Sequence, residues 1–505
     1  MENDVDFKRF VFEYNPFNVE VEFPDVKNGF NIVVGNPPWD ITEIREDNFY
    51  MQYITAYKTL SKTEKLKKKE ELLMSFPDLK DEYTKKQKLM KEVNELYKFL
   101  YPLNEGSGKN NLYQFFMERN LLLMAENGIL EYLTPSLWTF AIGGNNIRQA
   151  ILEKYKLSFL FCFENKNKLF DIHMSYKFAI YRIEQGKTDK FKCFFLESEA
   201  SRLDKGDFFE IGLEDIKKYD SKDLCILELK DEIAKNIIFK SYGRFGSLKD
   251  SYIKFSVELN MSNDKGIMEE YKERELGEEY VRMYEGKMIH QFDTKFKEGK
   301  YLVKKKNLPS KILLNSYKLV FRDIASNTNR RTMIASLIPK GVTYGNTLHG
   351  SKVVEDVSVD RLLWVCGCFN SIIVDYILRM YVDMNVNLVY VKKLPIYQPE
   401  TVEILGNKDV LRVIKNSAML TYLYNREDFF EFVKMYKLDI GDLPKSDSGL
   451  GRYMDELKVE NDCIILKMYG IEYSELEYML ESFKGLCKNN AKYVALLKKK
   501  YREFV

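Results

Sequence analysis

The chain has 505 residues, 45% of them hydrophobic, and a formal net charge of +2. That length calls for two to four domains with cores of their own. The small net charge means that any nucleic-acid surface must come from local clustering. Three histidines, and no CxxC pair among seven cysteines, exclude a zinc hydrolase, a zinc knuckle and a disulfide framework. The cysteine usage of a reduced chain, with no signal-peptide pattern and no apolar run of spanning length, gives an expected cytoplasmic location with no membrane partner and no metal site.

Residues 17–24 alternate polar and apolar side chains and predict a strand or extended segment. The stretch from Gly29 to Trp39 follows. Ile32, Val33 and Val34 between Gly29 and Gly35 read as a short buried strand of an α/β sheet. Pro37 and Pro38 have no N–H for a ladder, so the strand must stop there on a stiff turn. Open α/β sheets place their ligands at such carboxyl ends.

The chemistry that fits Asn36-Pro37-Pro38-Trp39 is methylation of an exocyclic amine. The amine lone pair of adenine is drawn into its ring. Two acceptors around the amine, the Asn36 side-chain oxygen and the Pro37 carbonyl, restore it with little reorganisation. Trp39 offers a face for a base taken out of the duplex. The plain structural alternative is a proline turn with a core tryptophan.

Residues 50–104 carry apolar positions at helical spacing (Leu89, Val93, Leu96, Leu100) and predict a helical insertion. With 12 Lys against 8 acids in 58–98, it is a solvated helical pair or else a contact to DNA or a partner. Gly106-Ser107-Gly108-Lys109 lacks the spacing of a phosphate loop and is rejected as one. An amphipathic helix is expected from Asn111 to Asn127, capped by Gly128. Strands follow at 129–133, leaving through Thr134-Pro135-Ser136, and at 159–163. Residues 185–270 are charged and poorly periodic; Glu228-Leu229-Lys230 with Asp223 lacks the strand context of a nuclease triplet. In 295–340 there are 12 Lys and Arg against 2 acids, the pattern phosphate contacts require. Arg322, Arg330 and Arg331 are candidates for guanine edges; Lys304, Lys305 and Lys306 are candidates for phosphates. Residues 400–505 read as helical, with a basic stretch at 484–502. No internal repeats stand out.

The run from Gly29 to Trp39 resembles the N6-adenine DNA methyltransferases, in particular the large methylases of combined restriction–modification and phage-defence systems. Asn31 stands where that family commonly has Asp. The resemblance continues through Asn111-Leu112-Tyr113, the segment from Leu169 to Ile180, the run from Tyr284 to Asp293, Phe321 to Ala325, Asn329 to Ala335, Gly345-Asn346 and Lys393-Leu394-Pro395. It implies a catalytic turn of Asn36, Pro37, Pro38 and Trp39, a second stacking aromatic at Phe170, and a cofactor side at Asn111 and Tyr113, with S-adenosyl-L-methionine as methyl donor. It also implies a target-recognition domain.

The expected class is α/β: a partial Rossmann-like methyltransferase sheet, the catalytic half, followed by an α+β target-recognition domain and a helical C-terminal region. The expected boundaries are 1–195 with the insertion at 50–104, a connector at 196–270, recognition at 271–400 and helices at 401–505. A glycine-rich cofactor loop of the FxGxG kind is found neither before Asn36 nor downstream. A second polypeptide is therefore expected to supply the first strands and the cofactor loop, unless the sequence is a fragment, and the apolar sheet edge should be paired. Double-stranded DNA is the expected substrate, with nuclease or helicase subunits as further partners. The competing readings are a catalytically silent, methylase-derived recognition subunit that recruits a nuclease or helicase, and a methyltransferase of protein or RNA amines.

Overall fold

Apolar runs closed by turn residues lay down the first unit, which ends at Asp231; a second unit begins at Glu232. The structure, a computed structural model, describes residues 19–104, 111–248, 252–270, 277–326, 328–352, 357–381 and 385–505. Gly106 to Lys109 and Tyr271 lie outside the described residues, as do Phe17 and Asn18 of the segment expected to be extended.

The first unit is built on a six-stranded sheet ordered β1-β2-β4-β3-β5-β6. The strands are β1 (Phe30–Gly35), β2 (Met124–Pro135), β3 (Tyr155–Glu164), β4 (Lys177–Gln185), β5 (Lys190–Glu197) and β6 (Phe209–Gly212). β1 runs parallel to β2, and β3 parallel to β5, while β4 lies antiparallel between β2 and β3. The carboxyl ends of β1, β2 and β3 and the amino end of β4 therefore share one edge of the sheet. Register fixes that edge: Gly35 lies opposite Tyr132, Pro135 opposite Phe178, and Glu164 opposite Lys177.

Two sequence expectations are corrected here. Residues Val19–Glu22 form one helical turn, not a strand, with the Phe23 N–H bonded to the Val19 carbonyl at 2.9 Å. That turn sets the Phe23 ring edge-on against Phe30 at 5.7 Å, so packing on β1 overrides the alternating pattern. The helix after Asn111 ends at Leu123 rather than at Gly128. Met124 is claimed by its pairing with Phe30, and Gly128 lies within β2.

The insertion is a pair of helices, α1 (Lys62–Ser75) and α2 (Asp78–Leu100). Ser61 and Glu64 close a capping box at the start of α1. Phe49, Tyr50 and Tyr57 make a small core under the pair, joined by Leu72 and Tyr83. Helices α3 (Leu112–Leu123) and α4 (Asn145–Lys154) are the crossovers that return the chain to β2 and β3. Beyond residue 195, β6 extends the same sheet. Glu228 accepts from Lys177, and Asp223 accepts from Asn145 at 3.0 Å, so both carboxylates brace this unit.

The second unit is α+β. Its strands are β7 (Phe255–Ser256), β8 (Met268–Glu270), β9 (Tyr280–Tyr284), β10 (Tyr301–Lys304), β11 (Lys318–Arg322), β12 (Ala335–Ile338), β13 (Thr343–Tyr344) and β14 (Leu348–Ser351). They form two four-stranded sheets, β13-β9-β10-β8 and β12-β11-β14-β7. Helix α5 (Val359–Phe369) carries Cys366 and Cys368 into the core, and the buried helix α6 (Ile372–Arg379) follows it. The C-terminal helices include α7 (Lys408–Tyr424), α8 (Asp447–Tyr469), α9 (Tyr473–Glu481) and α10 (Ala491–Phe504). They pack on this block rather than trailing from it. Gly367 allows α5 and α7 to touch, since a Cβ there would stand 2.6 Å from Val413 Cγ1. No single helix among the described residues is long and apolar enough to cross a membrane; the bent pair α5–α6 passes by composition, but its apolar side chains are core.

Candidate active site and nucleic-acid surface

The turn after β1 is shaped from both sides. A Cβ on Gly35 would lie 2.9 Å from Tyr132 Cε1, so the residue before Asn36 has no room for a side chain. Beyond the prolines, the Asp40 carbonyl accepts from the Leu112 N–H at 2.9 Å, and Ile41 bridges to Asn111. The start of α3 thus ties down the far end of the turn. Pro37 is buried, Asn36 and Pro38 are exposed, and Trp39 is half-buried. The indole Nε1–H of Trp39 donates to Asn36 Oδ1 at 2.9 Å.

The loop after β3 brings Phe170 to the same edge. Its ring centroid stands 6.2 Å from that of Trp39, with planes at 65°, and both contact Phe178 at the start of β4. Phe163, Phe178 and Phe194 are the buried floor of this aromatic group. In this arrangement Trp39 and Phe170 meet edge to face. They leave no parallel slot between them, and a base inserted there must turn one ring aside.

Sequence reasoning missed what holds Phe170. Asn165, fully buried at the exit of β3, donates from Nδ2 to the carbonyls of Phe170 and Ile172 at 3.0 and 2.9 Å. Its Oδ1 accepts from the Phe170 N–H at 3.0 Å. One side chain thereby folds the loop back on itself. The only signal in the sequence is an Asn directly after an apolar strand, where amides commonly close turns.

The two residues expected on the cofactor side differ in position. Asn111 bridges to Ile41, just past the proline turn, as described. Tyr113 is 1% exposed and enclosed in the core, where burial raises its hydroxyl above the ordinary tyrosine range. Its oxygen has no hydrogen-bond partner among the described residues. β2 is the neighbour of β1 among the described residues, and Ile32 and Val34 of β1 are 68% and 71% exposed.

In the second unit, tertiary contacts sort the cationic block. Lys304 lies 3.3 Å from Glu269 and over the Tyr280 ring, while Lys305 and Lys306 are exposed. Arg322 donates to the Ile289 carbonyl through Nε at 3.0 Å and through Nη2. Arg331 is buried: its Nε is 2.7 Å from Asp375, and its Nη2 donates to the Asn370 carbonyl at 2.6 Å. Arg379 reaches the other Asp375 oxygen at 2.9 Å. Of the three arginines, Arg330 alone is exposed, on the turn that these buried pairs fix. Lys300, Lys318 and Lys340 pair with Glu270, Glu258 and Glu431. No cluster of potential metal ligands occurs among the described residues.

Residues 82–170 match the family described as Eco57I restriction-modification methylase. The match ends at Phe170 and includes Asn111 and Tyr113; the turn from Asn36 to Trp39 precedes it. No curated protein matches the chain. Among solved structures, the chain is similar to the Type IIL restriction-modification enzyme MmeI in complex with DNA, at 9% identity and TM-score 0.42, covering 93% of this chain and 59% of that one. It is similar to the ATP-dependent Type ISP enzyme LlaBIII bound to DNA, at 11% identity and TM-score 0.40, covering 81% and 30%. The DrdV–DNA complex gives 9% identity and TM-score 0.39, covering 95% and 58%. The chain thus spans less than two thirds of each of these proteins.

Proposed function

We propose that this chain, which carries a restriction-modification methylase segment at residues 82–170, is a site-specific DNA adenine-N6 methyltransferase subunit of a restriction–modification or phage-defence system. The observation that carries this reading is the exposed Asn36 on a proline-stiffened turn at the carboxyl edge of β1, bonded to Trp39, with Phe170 beside it. Residues 271–400 engage duplex DNA, and an adenine leaves the stack for the aromatic group. Asn36 Oδ1 and the Pro37 carbonyl then accept from the amine. They hold it so that its lone pair points away from the ring, and the charge that develops on nitrogen meets acceptors already in place. The proton leaves after alkylation, so no general base is required.

S-adenosyl-L-methionine supplies the electrophilic methyl group. The residues described here fit the base side of that reaction better than the cofactor side. Tyr113 is enclosed, and no glycine-rich loop lies beside β1 among the described residues. The reading therefore assigns the cofactor cradle largely to residues outside this sequence, in a second polypeptide or in a longer form of the chain, whose strand pairs with the apolar edge strand carrying Ile32 and Val34. Nuclease or helicase subunits would act on the same DNA.

The test measures transfer of labelled methyl groups to duplex DNA by the chain together with its neighbouring gene products. Loss of about 10²-fold or more in rate for Asn36→Ala, the scale of removing one aligned polar group from an acyl-transfer site, with DNA binding retained, is the expected result. An Asn36→Ala complex that still methylates ends the proposal. Tight DNA binding by a wild-type complex that never methylates would favour the silent recognition subunit.

A further inference from the structure

The second unit contains a cavity of about 290 Å³ bounded by the turn at 290–291, the turn at 330–331, α7, α8 and the start of α10. Its charged lining is Arg330, Arg331 and Lys458 against Asp455. We propose that this cavity is a phosphate-binding site, with Arg330 and Lys458 as its cationic contacts. Where the phosphate belongs to duplex DNA, the proposal rests on the methylase reading above.

Three features point to an oxyanion. The first is preorganisation. Arg330 sits between two anchored neighbours: Arg379 donates to the Asn329 carbonyl at 2.8 Å, and the Thr332 N–H meets both Asp375 oxygens at 3.2 Å. Gly485 presses on the same turn, since a Cβ there would lie 3.3 Å from Arg330 Cα. A guanidinium on a turn already ordered loses little entropy when it binds a forked acceptor.

The second feature is the polar lining. The Lys458 ammonium is held by the Tyr424 hydroxyl at 2.8 Å, with Asp455 at 3.9 Å. Asn490 lines the cavity directly before α10, a helix of 14 residues, whose first N–H groups and dipole favour negative charge there.

The third is the local potential. His290 shares the cavity lining with Arg330, Arg331 and Lys458; burial first, then the charges of Arg322 and of those three groups, hold its imidazole down at about 4. The ring is neutral near pH 7 in a field that disfavours a proton, and such a field favours an anion.

The experiment uses the full chain with labelled histidine rings. Three histidines give three sets of ring signals, and His290→Gln identifies the relevant one. Inorganic phosphate is titrated in one arm, and duplex DNA binding is measured against salt in the other. Arg330→Gln and Lys458→Gln are compared with Lys434→Gln, an exposed lysine outside the cavity, after melting curves confirm folding. If the bound phosphate is a DNA diester, each cavity variant weakens binding to every sequence several-fold and lowers the salt slope by about one, while Lys434→Gln does neither. If it is carried by a free small molecule, inorganic phosphate shifts the His290 signal saturably in the wild type but not in the variants, and the DNA slope is unchanged. An unmoved His290 signal in the phosphate arm, with wild-type DNA binding in both cavity variants, overturns the proposal. A wild-type chain that binds phosphate but no DNA sinks the methylase reading and leaves the site standing.

Discussion

The Trp39 indole donates its N–H to the Asn36 side-chain oxygen across 2.9 Å. An indole N–H is a donor only, so the bond fixes which way round the amide sits. It occupies one lone pair of Oδ1 and leaves the other for the amine of the proposed reaction. Trp39→Phe keeps an aromatic face and removes this restraint. A bond of this kind is worth about 1–1.5 kcal/mol, so kcat should fall about tenfold while equilibrium DNA affinity stays near wild type. An unchanged kcat would show that Trp39 serves only as a stacking surface.

Gly35→Ala should destabilise the first unit by about 1–3 kcal/mol, the usual cost of forcing a methyl into a packed site. The clash is with Tyr132 Cε1, directly across the strand pair. Chemical denaturation of the single variants and of Gly35→Ala with Tyr132→Leu checks the cause. The double variant should recover part of the loss; strict additivity would place the strain elsewhere.

Asn165→Ala removes the three hydrogen bonds that fold the loop carrying Phe170. Two carbonyls and an N–H then lose their partner, at a cost of about 1–3 kcal/mol. Proteolysis should begin to cut within residues 166–176. Asn165→Asp, which keeps an acceptor for the Phe170 N–H but loses both donations, should fall between. Equal protease resistance in wild type and Asn165→Ala would remove this residue from the site.

Asp375 is fully buried between Arg331 and Arg379. Asp375→Asn strands two buried guanidinium groups, and breaking a buried ion pair from one side costs about 3–5 kcal/mol. Glu431→Gln breaks the exposed pair with Lys340 and should cost about 0–1 kcal/mol. Denaturant midpoints for the two variants test the contrast.

His290 gives the second unit a pH dependence. Its folded-state value is about 4 against an ordinary 6.5, so between those limits the unfolded chain binds a proton that the folded chain does not. Stability therefore holds above pH 6.5 and falls as pH drops towards 4. Replacing His290 with Gln should flatten the melting temperature across that window, and an unaltered slope would assign the effect to other groups.

Much of the sheet edge that carries Asn36 was legible in the chain itself. An apolar run ended by two prolines dictates a strand that stops on a rigid turn, because both signals are local and backbone-based. The strands expected at 129–133 and 159–163 lie within β2 and β3, and the helical reading of 50–104 and of the C-terminal region is matched by α1, α2 and α7 to α10. Local patterns failed where a distant contact outweighed them. Phe23 packs on Phe30 and turns 19–22 into a helix; Met124 pairs with Phe30 and ends α3 early.

The cationic block shows the same division most clearly. Its excess of Lys and Arg is written in residues 295–340, but the carboxylates that meet it come from Glu258, Glu269, Glu270, Asp375 and Glu431. Coulomb attraction depends on separation in space, and separation in space between residues far apart along the chain is set by the fold. By itself the sequence determined a stiff corner bearing Asn36 and a local surplus of positive charge. Only the tertiary structure decided that Asn165 would hold Phe170 beside that corner, and that Arg330, not Arg331, would face solvent.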